Sequence, residues 1–503
     1  MYRIFGPPGT GKTTTLLNMV DKALNEGIPS TDIAFLAFTR KAASEARERA
    51  AARFKLDPQK ELPYFRTLHS LAYHMLSLRD SQIMQKEHFD ELSIKVGYTL
   101  NIQKVSDQDD IGVVTSDHPI LQLVNLSRLK KTNLRKEYNL SSCSHEWHEV
   151  DYISRAYSEY KTANGLLDYT DMLEKFAKEA VQYCPRFALC FLDEAQDLSP
   201  LQWDIAHAID ERSKRMYCAG DDDQAIYRWA GADVDHFINL TGDAEILEQS
   251  YRIPAEVHKV ASRISSRIYK RFPKVYRPRK EAGHVQKIYS LDEIDLRDGT
   301  WLIMAQANYM LTPVAEELKN NGYLFERNGH RSISEKISMA VNGWEQMRKG
   351  NDIDVTTAQA IYDYMSGNGI RVARGFKRFS DLDADKMFSI DILQLQYGLI
   401  ATKDMIWHEA MDKLPKVDVV YITSLLRRGE KFNATPRIKL STIHGTKGGE
   451  ADNVVIYTDL STAAQKEMGD DIHRVFYVGV TRTKNSLYIV EPEDALTGYT
   501  IEI

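Results

Sequence analysis

Eight residues near the start of the chain, Gly6-Pro7-Pro8-Gly9-Thr10-Gly11-Lys12-Thr13, have the types and spacing of a phosphate cradle, G-x-x-x-x-G-K-[ST]. Glycines let the backbone close its N–H groups around phosphate oxygens. The N-terminus of a following helix adds partial positive charge. Lys12 is placed to reach β- and γ-phosphates, and the Thr13 hydroxyl to bind Mg²⁺. Thr14 leads into an apolar helical pattern (Leu16, Leu17, Val20, Ala23, Leu24), and Tyr2 to Phe5 reads as a strand before the loop. A chance Gly-rich turn is the bland alternative, and the order strand, loop, helix argues against it.

Asp193-Glu194-Ala195-Gln196-Asp197 follows a continuous apolar stretch, Phe187 to Leu192. In such a pair one carboxylate, here Asp193, can hold Mg²⁺. Its neighbour Glu194 can orient and deprotonate an attacking water. Without the upstream cradle the same residues would read as an acidic helix start on the surface. A third constellation runs Gly220-Asp221-Asp222-Asp223-Gln224-Ala225-Ile226-Tyr227-Arg228-Trp229-Ala230-Gly231-Ala232-Asp233, after a strand expected over 215–219. Gln224 stands where a γ-phosphate sensor would, and Tyr227 and Trp229 are placed to stack on bases. Phe38 closes an apolar strand over 31–38, where it either stacks on a base or packs in the core. Thr39 and the helix after it would lie near a phosphate. Phe65-Arg66-Thr67-Leu68-His69-Ser70 reads as a strand turning into a helix, with polar groups at the turn.

These residues need a scaffold that gathers strand ends, and the alternation of apolar strands with helical patterns predicts an α/β fold. At 503 residues the chain has room for about three domains or more. Residues 1–75 and 166–247 read as one α/β domain, interrupted by a polar, mostly helical insertion over 76–165. Residues 248–350 and 431–503 read as a second, interrupted by a shorter helical insertion over 351–430, locally basic at Arg371, Arg374, Lys377 and Arg378. No apolar run approaches about eighteen residues, and Gly6-Pro7-Pro8-Gly9 breaks any signal-peptide core, so neither membrane span nor leader is expected. The four cysteines form no C-x-x-C pair and suit a reducing cytoplasm. Cys143, His145 and His148 lack a fourth ligand and read as polar loop residues rather than a zinc site. The net charge of −6 makes no general case for nucleic-acid binding. Locally, Ser262 to Lys280 holds eight Lys/Arg and no acid, with Tyr269, Phe272 and Tyr276 interleaved. That suits a nucleic-acid backbone contact and a solvated helix face equally.

The D-E-x-Q-D strand end followed by G-D-x-x-Q-x-I-Y-x-W-x-G-A resembles the UvrD/Rep type of superfamily 1 DNA helicase. Further motifs keep the family's order. They are Glu248-Gln249-Ser250-Tyr251-Arg252-Ile253-Pro254, then Thr442-Ile443-His444-Gly445-Thr446-Lys447-Gly448-Gly449-Glu450 (T-x-H-x-x-K-G-x-E), then Tyr477-Val478-Gly479-Val480-Thr481-Arg482 (Y-V-G/A-x-T-R). The resemblance implies two RecA-like motor domains with mainly parallel sheets, each carrying a mostly helical insertion, and ATP with Mg²⁺ between them. Gly6 to Thr14, Gln196, Tyr251 and Glu450 would bind the nucleotide, Thr13 and Asp193 the metal. Glu194, Gln224, Arg252 and Arg482 would be catalytic, the two arginines coming from the second motor domain. Phe38, Thr39, Thr67, His69, Tyr227, Trp229, Thr442 and His444 would line a single-strand DNA channel.

The implied activity is an ATP-dependent helicase moving 3′→5′ on single-stranded DNA and at single/double-strand junctions, cytoplasmic and without a membrane partner. A DNA-stimulated translocase that does not unwind, and a motor subunit active only within a larger complex, are the alternatives. The second insertion is shorter than usual in the family, a compact form compatible with a phage or mobile-element protein. The match has gaps. The family's adenine-reading glutamine lies upstream of the cradle, where this chain has five residues before Gly6. Its arginine after the Lys-Thr pair is Thr14, and an arginine common after the tryptophan is Ala230. Weak selection of the nucleotide base is expected, with Tyr251 left to stack on the purine.

Overall fold

The computed structural model describes residues 1–100, 118–379, 386–431, 433–466, 469–494 and 496–503. Parts of both expected insertions, 101–117 and 380–385, lie outside the described residues. The chain forms two units: Met1–Ile288 with Ile443–Glu450 and Thr458–Ile503, and Tyr289–Thr442 with Ala451–Tyr457.

The first unit is built on six strands, β1 (Tyr2–Phe5), β2 (Ile33–Ala37), β3 (Phe65–Thr67), β4 (Leu189–Leu192), β5 (Met216–Gly220) and β6 (Ala244–Ile246), in the order β3-β2-β4-β5-β1-β6. All are parallel. β2 is apolar and buried along its whole length, as a strand covered on both faces must be. Helices α1 (Lys12–Asn25), α2 (Arg40–Phe54) and α3 (Leu68–Met75) follow the first three strands. Leu16 and Val20 of α1 pack with Ile4, Ile33, Phe35 and Phe191 of the sheet. Parallel strands present all their carboxyl ends on one edge. The loops after β1, β2, β3, β4 and β5, which carry the chemistry-bearing residues, therefore open on the same side. Phe187 to Leu192 forms only its last four residues as strand, Phe187 making an isolated bridge to Ser213.

The insertion is helical: α4 (Lys86–Val96), α5 (Pro119–Leu129), α6 (Leu134–Leu140) and α7 (Trp147–Asn164), around a core that includes Phe89, Leu92, Ile120, Val124 and Ile153. The chain returns to the sheet through α8 (Tyr169–Tyr183), capped by Asp168, which accepts from the Asp171 N–H at 2.6 Å. Arg128 of α5 and Lys161 of α7 both converge there. Arg128 lies 2.9 Å from Asp168 and 2.5 Å from Asp171, and Lys161 lies 2.5 Å from each. The Tyr157 hydroxyl donates to Asp168 at 2.9 Å. The buried acid at the cap of α8 thus ties the insertion to the domain it interrupts. In the remainder of the unit β7 (His284–Ile288) begins a second parallel pairing, completed by the last strand of the chain.

The second unit holds β8 (Trp301–Ala305), β9 (Phe325–Arg327) and β10 (His330–Arg331), then a short antiparallel ribbon, β11 (Ile353–Asp354) with β12 (Met387–Phe388), then β13 (Ile438–Thr442) and β14 (Ala451–Tyr457). The sheet runs β10-β9-β13-β8-β14 and is parallel except for the β9/β10 hairpin. Its helical part packs Trp344, Ile361, Tyr362, Leu393, Trp407 and Ile422 into one core. Helix 335–348, ahead of the expected insertion, belongs to that same core because its Ala340, Val341 and Trp344 face it. The last strand, β15 (Thr483–Val490), pairs with β7 in the first unit. It starts four residues earlier than its apolar stretch suggests, since Thr483 is buried at the strand's first position and reads as polar in sequence.

Burial would push the Asp168 carboxyl up, but Arg128 and Lys161 hold it down at about 2. A carboxylate held below its unfolded value stabilises the fold at neutral pH, and this contribution is lost as pH falls through about 4 towards 2. Asp168→Ala should cost about 3–5 kcal/mol, the range for breaking a buried pair from one side. Urea unfolding at pH 6 and pH 3 should show the gap between parent and variant narrowing in acid. A gap that stays constant would remove Asp168 from the account.

Candidate active site

The loop after β1 is shaped by two close approaches. A Cβ on Gly6 would fall 2.0 Å from Cγ of Lys12, because the lysine side chain lies across that glycine and donates to its carbonyl at 2.9 Å. Gly9 has φ +72°, and a Cβ there would fall 2.4 Å from Cβ of Arg252. Thr10 Oγ1 donates to the Pro7 carbonyl at 2.7 Å and closes the turn. From the other side the Tyr251 N–H donates to the Gly9 carbonyl and Ser250 Oγ to that of Pro8, both at 2.8 Å. Arg252 is thereby fixed beside the loop, where its Nε donates to Glu450 at 2.7 Å. Lys484 pairs with the same carboxylate at 2.6 Å.

Glu194, after β4, has φ +55°, a conformation that costs a non-glycine residue on the order of 1–3 kcal/mol. The strain turns its carboxylate to the cleft, 3.9 Å from the Lys12 ammonium. Gln196 holds it there. Its side-chain amide donates to Glu194 at 2.6 Å and to Asp197 at 3.0 Å, while its oxygen accepts from the Asp221 N–H at 3.0 Å. Gln196, expected at the nucleotide, is fully buried and touches the general-base candidate Glu194. Burial opposes ionisation of Glu194, yet Lys12 and Lys447 outweigh it and hold the carboxyl at about 2. Asp193 goes the other way, to about 6, through burial and the adjacent Glu194 charge. Thr13 Oγ1 donates to Asp193 Oδ2 at 2.7 Å. This hydroxyl and carboxylate pair is a hard-oxygen donor set that fits Mg²⁺, which takes few protein ligands and keeps water and phosphate for the rest.

Gln224 lies between two charges. Its amide N donates to Asp221 at 2.6 Å, and its oxygen accepts from Arg482 Nη2 at 2.7 Å. Arg482 is buried just before β15, anchored by the carbonyls of Val478 and Gly449. Burial and the nearby Arg252 charge lower its pKa to about 9. Lys447, which the residue-level reading left unassigned, pairs with Asp197, donates to the Gln224 carbonyl at 2.9 Å and sits over the Tyr227 ring. Its place as the lysine of T-x-H-x-x-K-G-x-E was the available signal. A cleft of about 710 Å³ is lined by Lys12, Thr13, Glu194, Arg252, Glu450 and Arg482 among others, with the Tyr251 ring exposed at it.

The aromatic residues gather next to this cleft. Phe38 stacks on Tyr227, ring centroids 5.7 Å apart, and His444 meets both Tyr227 (6.5 Å) and Trp229 (6.3 Å). Phe38 and Tyr227 are buried, whereas Trp229 is 58% exposed. Burial lowers His69 and His444 to about 4, so both are neutral at physiological pH. Thr39 and Thr67 cap α2 and α3, accepting from Ala42 and Ser70. Thr442 ends β13 in the second unit. In the basic stretch 262–280 Arg263, Lys270, Arg277 and Lys280 are exposed, and two other cations depart from both expectations. Arg271 and Lys274 neither face solvent nor lie open to a phosphate backbone, because they are paired with aspartates after β5. Its Tyr276 is buried.

Among known proteins, residues 2–245 match the UvrD/REP helicase N-terminal domain and residues 399–493 the UvrD-like helicase C-terminal domain. The chain is 25% identical to the ATP-dependent DNA helicase PcrA of Bacillus subtilis, over 96% of this chain and 79% of that protein. It is 24% identical to the Probable DNA helicase II homolog of Rickettsia felis, over 98% and 90%. It is 25% identical to PcrA of Leuconostoc citreum, over 54% of this chain and 38% of that protein. The chain thus spans little more than a third of the last relative and most of the first two.

Lys12→Ala and Glu194→Gln should both abolish nucleotide turnover by different routes. The first removes the charge that would receive the phosphates, and nucleotide affinity falls with it. The second keeps the shape and the Gln196 contact but cannot accept a proton, so nucleotide still binds. Equilibrium binding of a fluorescent ATP analogue beside steady-state hydrolysis separates the two, and near-parental hydrolysis by Glu194→Gln would displace Glu194 as the base.

Proposed function

Since the chain belongs to the UvrD/Rep helicase family of superfamily 1, we propose that it is an ATP-dependent DNA helicase. It couples hydrolysis in this cleft to 3′→5′ movement along single-stranded DNA. The observation that carries the reading is the convergence of Lys12, Thr13–Asp193, Glu194 and Gln224–Arg482 around one cleft.

ATP seats its phosphates on the loop 6–13, and Lys12 exchanges the Gly6 carbonyl for phosphate oxygens. Tyr251 stacks on the base. Mg²⁺, held by Thr13 and Asp193, supplies charge neutralisation on the phosphates when bound. Glu194, ionised and fixed by Gln196, accepts the proton of the attacking water. Gln224, Arg252 and Arg482 supply donors to the γ-phosphate as charge develops on it. Residues 1–75 with 166–247, and 248–350 with 431–503, act as the two motor domains, the second supplying both arginines. Trp229, Phe38, Tyr227 and His444 carry the strand. Stacking on aromatics is tolerant of sequence, as a motor passing every base requires. Lys447 touches the Tyr227 ring, Asp197 and the Gln224 carbonyl at once, so strand occupancy reaches the catalytic groups through it. No helix among the described residues is long and apolar enough to cross a membrane, and the reading places the enzyme with DNA in the cytoplasm.

Purified protein incubated with ATP and 3′-tailed or 5′-tailed duplexes should unwind only the 3′-tailed substrate. Hydrolysis stimulated by single strands without unwinding would reduce the function to translocation, and unwinding from 5′ tails would overturn the polarity. Trp229→Ala should weaken single-strand binding by about 1–3 kcal/mol, the range for one base stack, measured by fluorescence anisotropy. Hydrolysis without DNA should change little. Unchanged DNA affinity would make Trp229 a bystander.

A further inference from the structure

Asp221, Asp222 and Asp223 follow β5 in a row, and all three are fully buried. Adjacent carboxylates taken out of water repel one another unless cations lie among them. Here the cations come from residues 271–274. Lys274 Nζ lies 3.2 Å from Asp221, 2.6 Å from Asp222 and 2.8 Å from Asp223, and its side chain is 1% exposed. Arg271 takes both oxygens of Asp223, at 2.9 and 2.6 Å. Between them the Phe272 N–H donates to Asp222 at 2.7 Å. The Phe272 ring stacks on Phe5, centroids 3.9 Å apart, where β1 runs into the phosphate loop. Burial disfavours a charged lysine, but the three carboxylates outweigh it and raise the Lys274 pKa.

Asp221 spends its other oxygen on the Gln224 amide. A carboxylate only accepts and a guanidinium only donates, so Asp221 on one side and Arg482 on the other leave the Gln224 amide a single orientation. That orientation holds only while Asp221 stays in place, and Lys274 is the cation that holds it.

We propose that Lys274 is a positioning residue for nucleotide hydrolysis: it fixes Asp221, which turns Gln224 so that its oxygen meets Arg482 and both groups are aimed at the γ-phosphate. The proposal rests on the reading of the cleft as an ATPase. Lys274 touches no nucleotide. Its removal leaves the phosphate loop intact and takes away the cation that the three buried carboxylates share, so Asp221 moves off Gln224.

The test compares the parent, Lys274→Met, and the charge-balanced double variant Lys274→Gln/Asp222→Asn, by DNA-stimulated ATP hydrolysis with thermal melting alongside. Lys274→Met should lower kcat by about tenfold or more while KM for ATP stays within about threefold, the pattern of a lost transition-state interaction. The double variant should recover most of that loss, because one buried negative charge leaves with the positive one. A folded Lys274→Met with parental kcat, or kcat and KM worsening together without rescue, would overturn the latch and leave the ATPase reading standing. If Lys274→Met does not fold, the double variant decides: a folded double with near-parental kcat supports the latch. A double that fails to fold makes Lys274 a residue of the fold only and overturns it. A parent that hydrolyses no nucleotide would overturn the ATPase reading and the latch with it.

Discussion

Charge balance in a dry place governs this molecule. The loops after β4 and β5 bury Asp193, Asp197, Asp221, Asp222 and Asp223 within one unit, with Glu194 beside them at the cleft. So many carboxylates out of water would drive the fold apart unless each found a cation or donors. Asp197 has Lys447, Asp221 to Asp223 share Lys274 and Arg271, Glu194 faces Lys12, and Asp193 takes the Thr13 hydroxyl. The cations come from three separate stretches of chain, so satisfying the acids fixes where those stretches must run.

The same balance prepares the chemistry. Glu194 and Asp193 are neighbours pushed in opposite directions, one held near 2 by Lys12 and Lys447, the other raised to about 6 by burial and its partner's charge. Environment alone separates the ionisation of two adjacent carboxyl groups. Arg482 illustrates the cost of such a site. Burial and the Arg252 charge both work against its cation, and it stays in place through two carbonyls and the Gln224 oxygen. A negative charge developing on a phosphate beside it would relieve that cost, which is the differential binding that catalysis requires.

Away from the cleft the same device appears at the junction of the helical insertion, where Asp168 and Asp171 receive Arg128 and Lys161. The acid also caps α8, so one residue starts a helix and anchors two others. The insertion's own core is apolar and local. Its junction with α8 adds directional ion pairs to that apolar packing.

By itself the sequence determined the α/β class and marked as candidates the glycine-rich loop, the Asp193–Glu194 pair, Gln224, and the motif arginines Arg252 and Arg482. Those features are local: a loop between strand and helix, or a strand end, declares itself within about ten residues, because the residue types that build it also do its chemistry. Only the tertiary structure decided the rest, and the reason is distance along the chain. Gln196 stands inside a recognisable motif, yet that it faces Glu194 and the Asp221 N–H depends on how β4 and β5 lie side by side. Lys447 meets Asp197 across two hundred and fifty positions. The run from Ser262 to Lys280 has one composition whether its cations face water, a phosphate backbone or buried acids. For Arg271 and Lys274 the choice was made by three buried aspartates about fifty residues upstream.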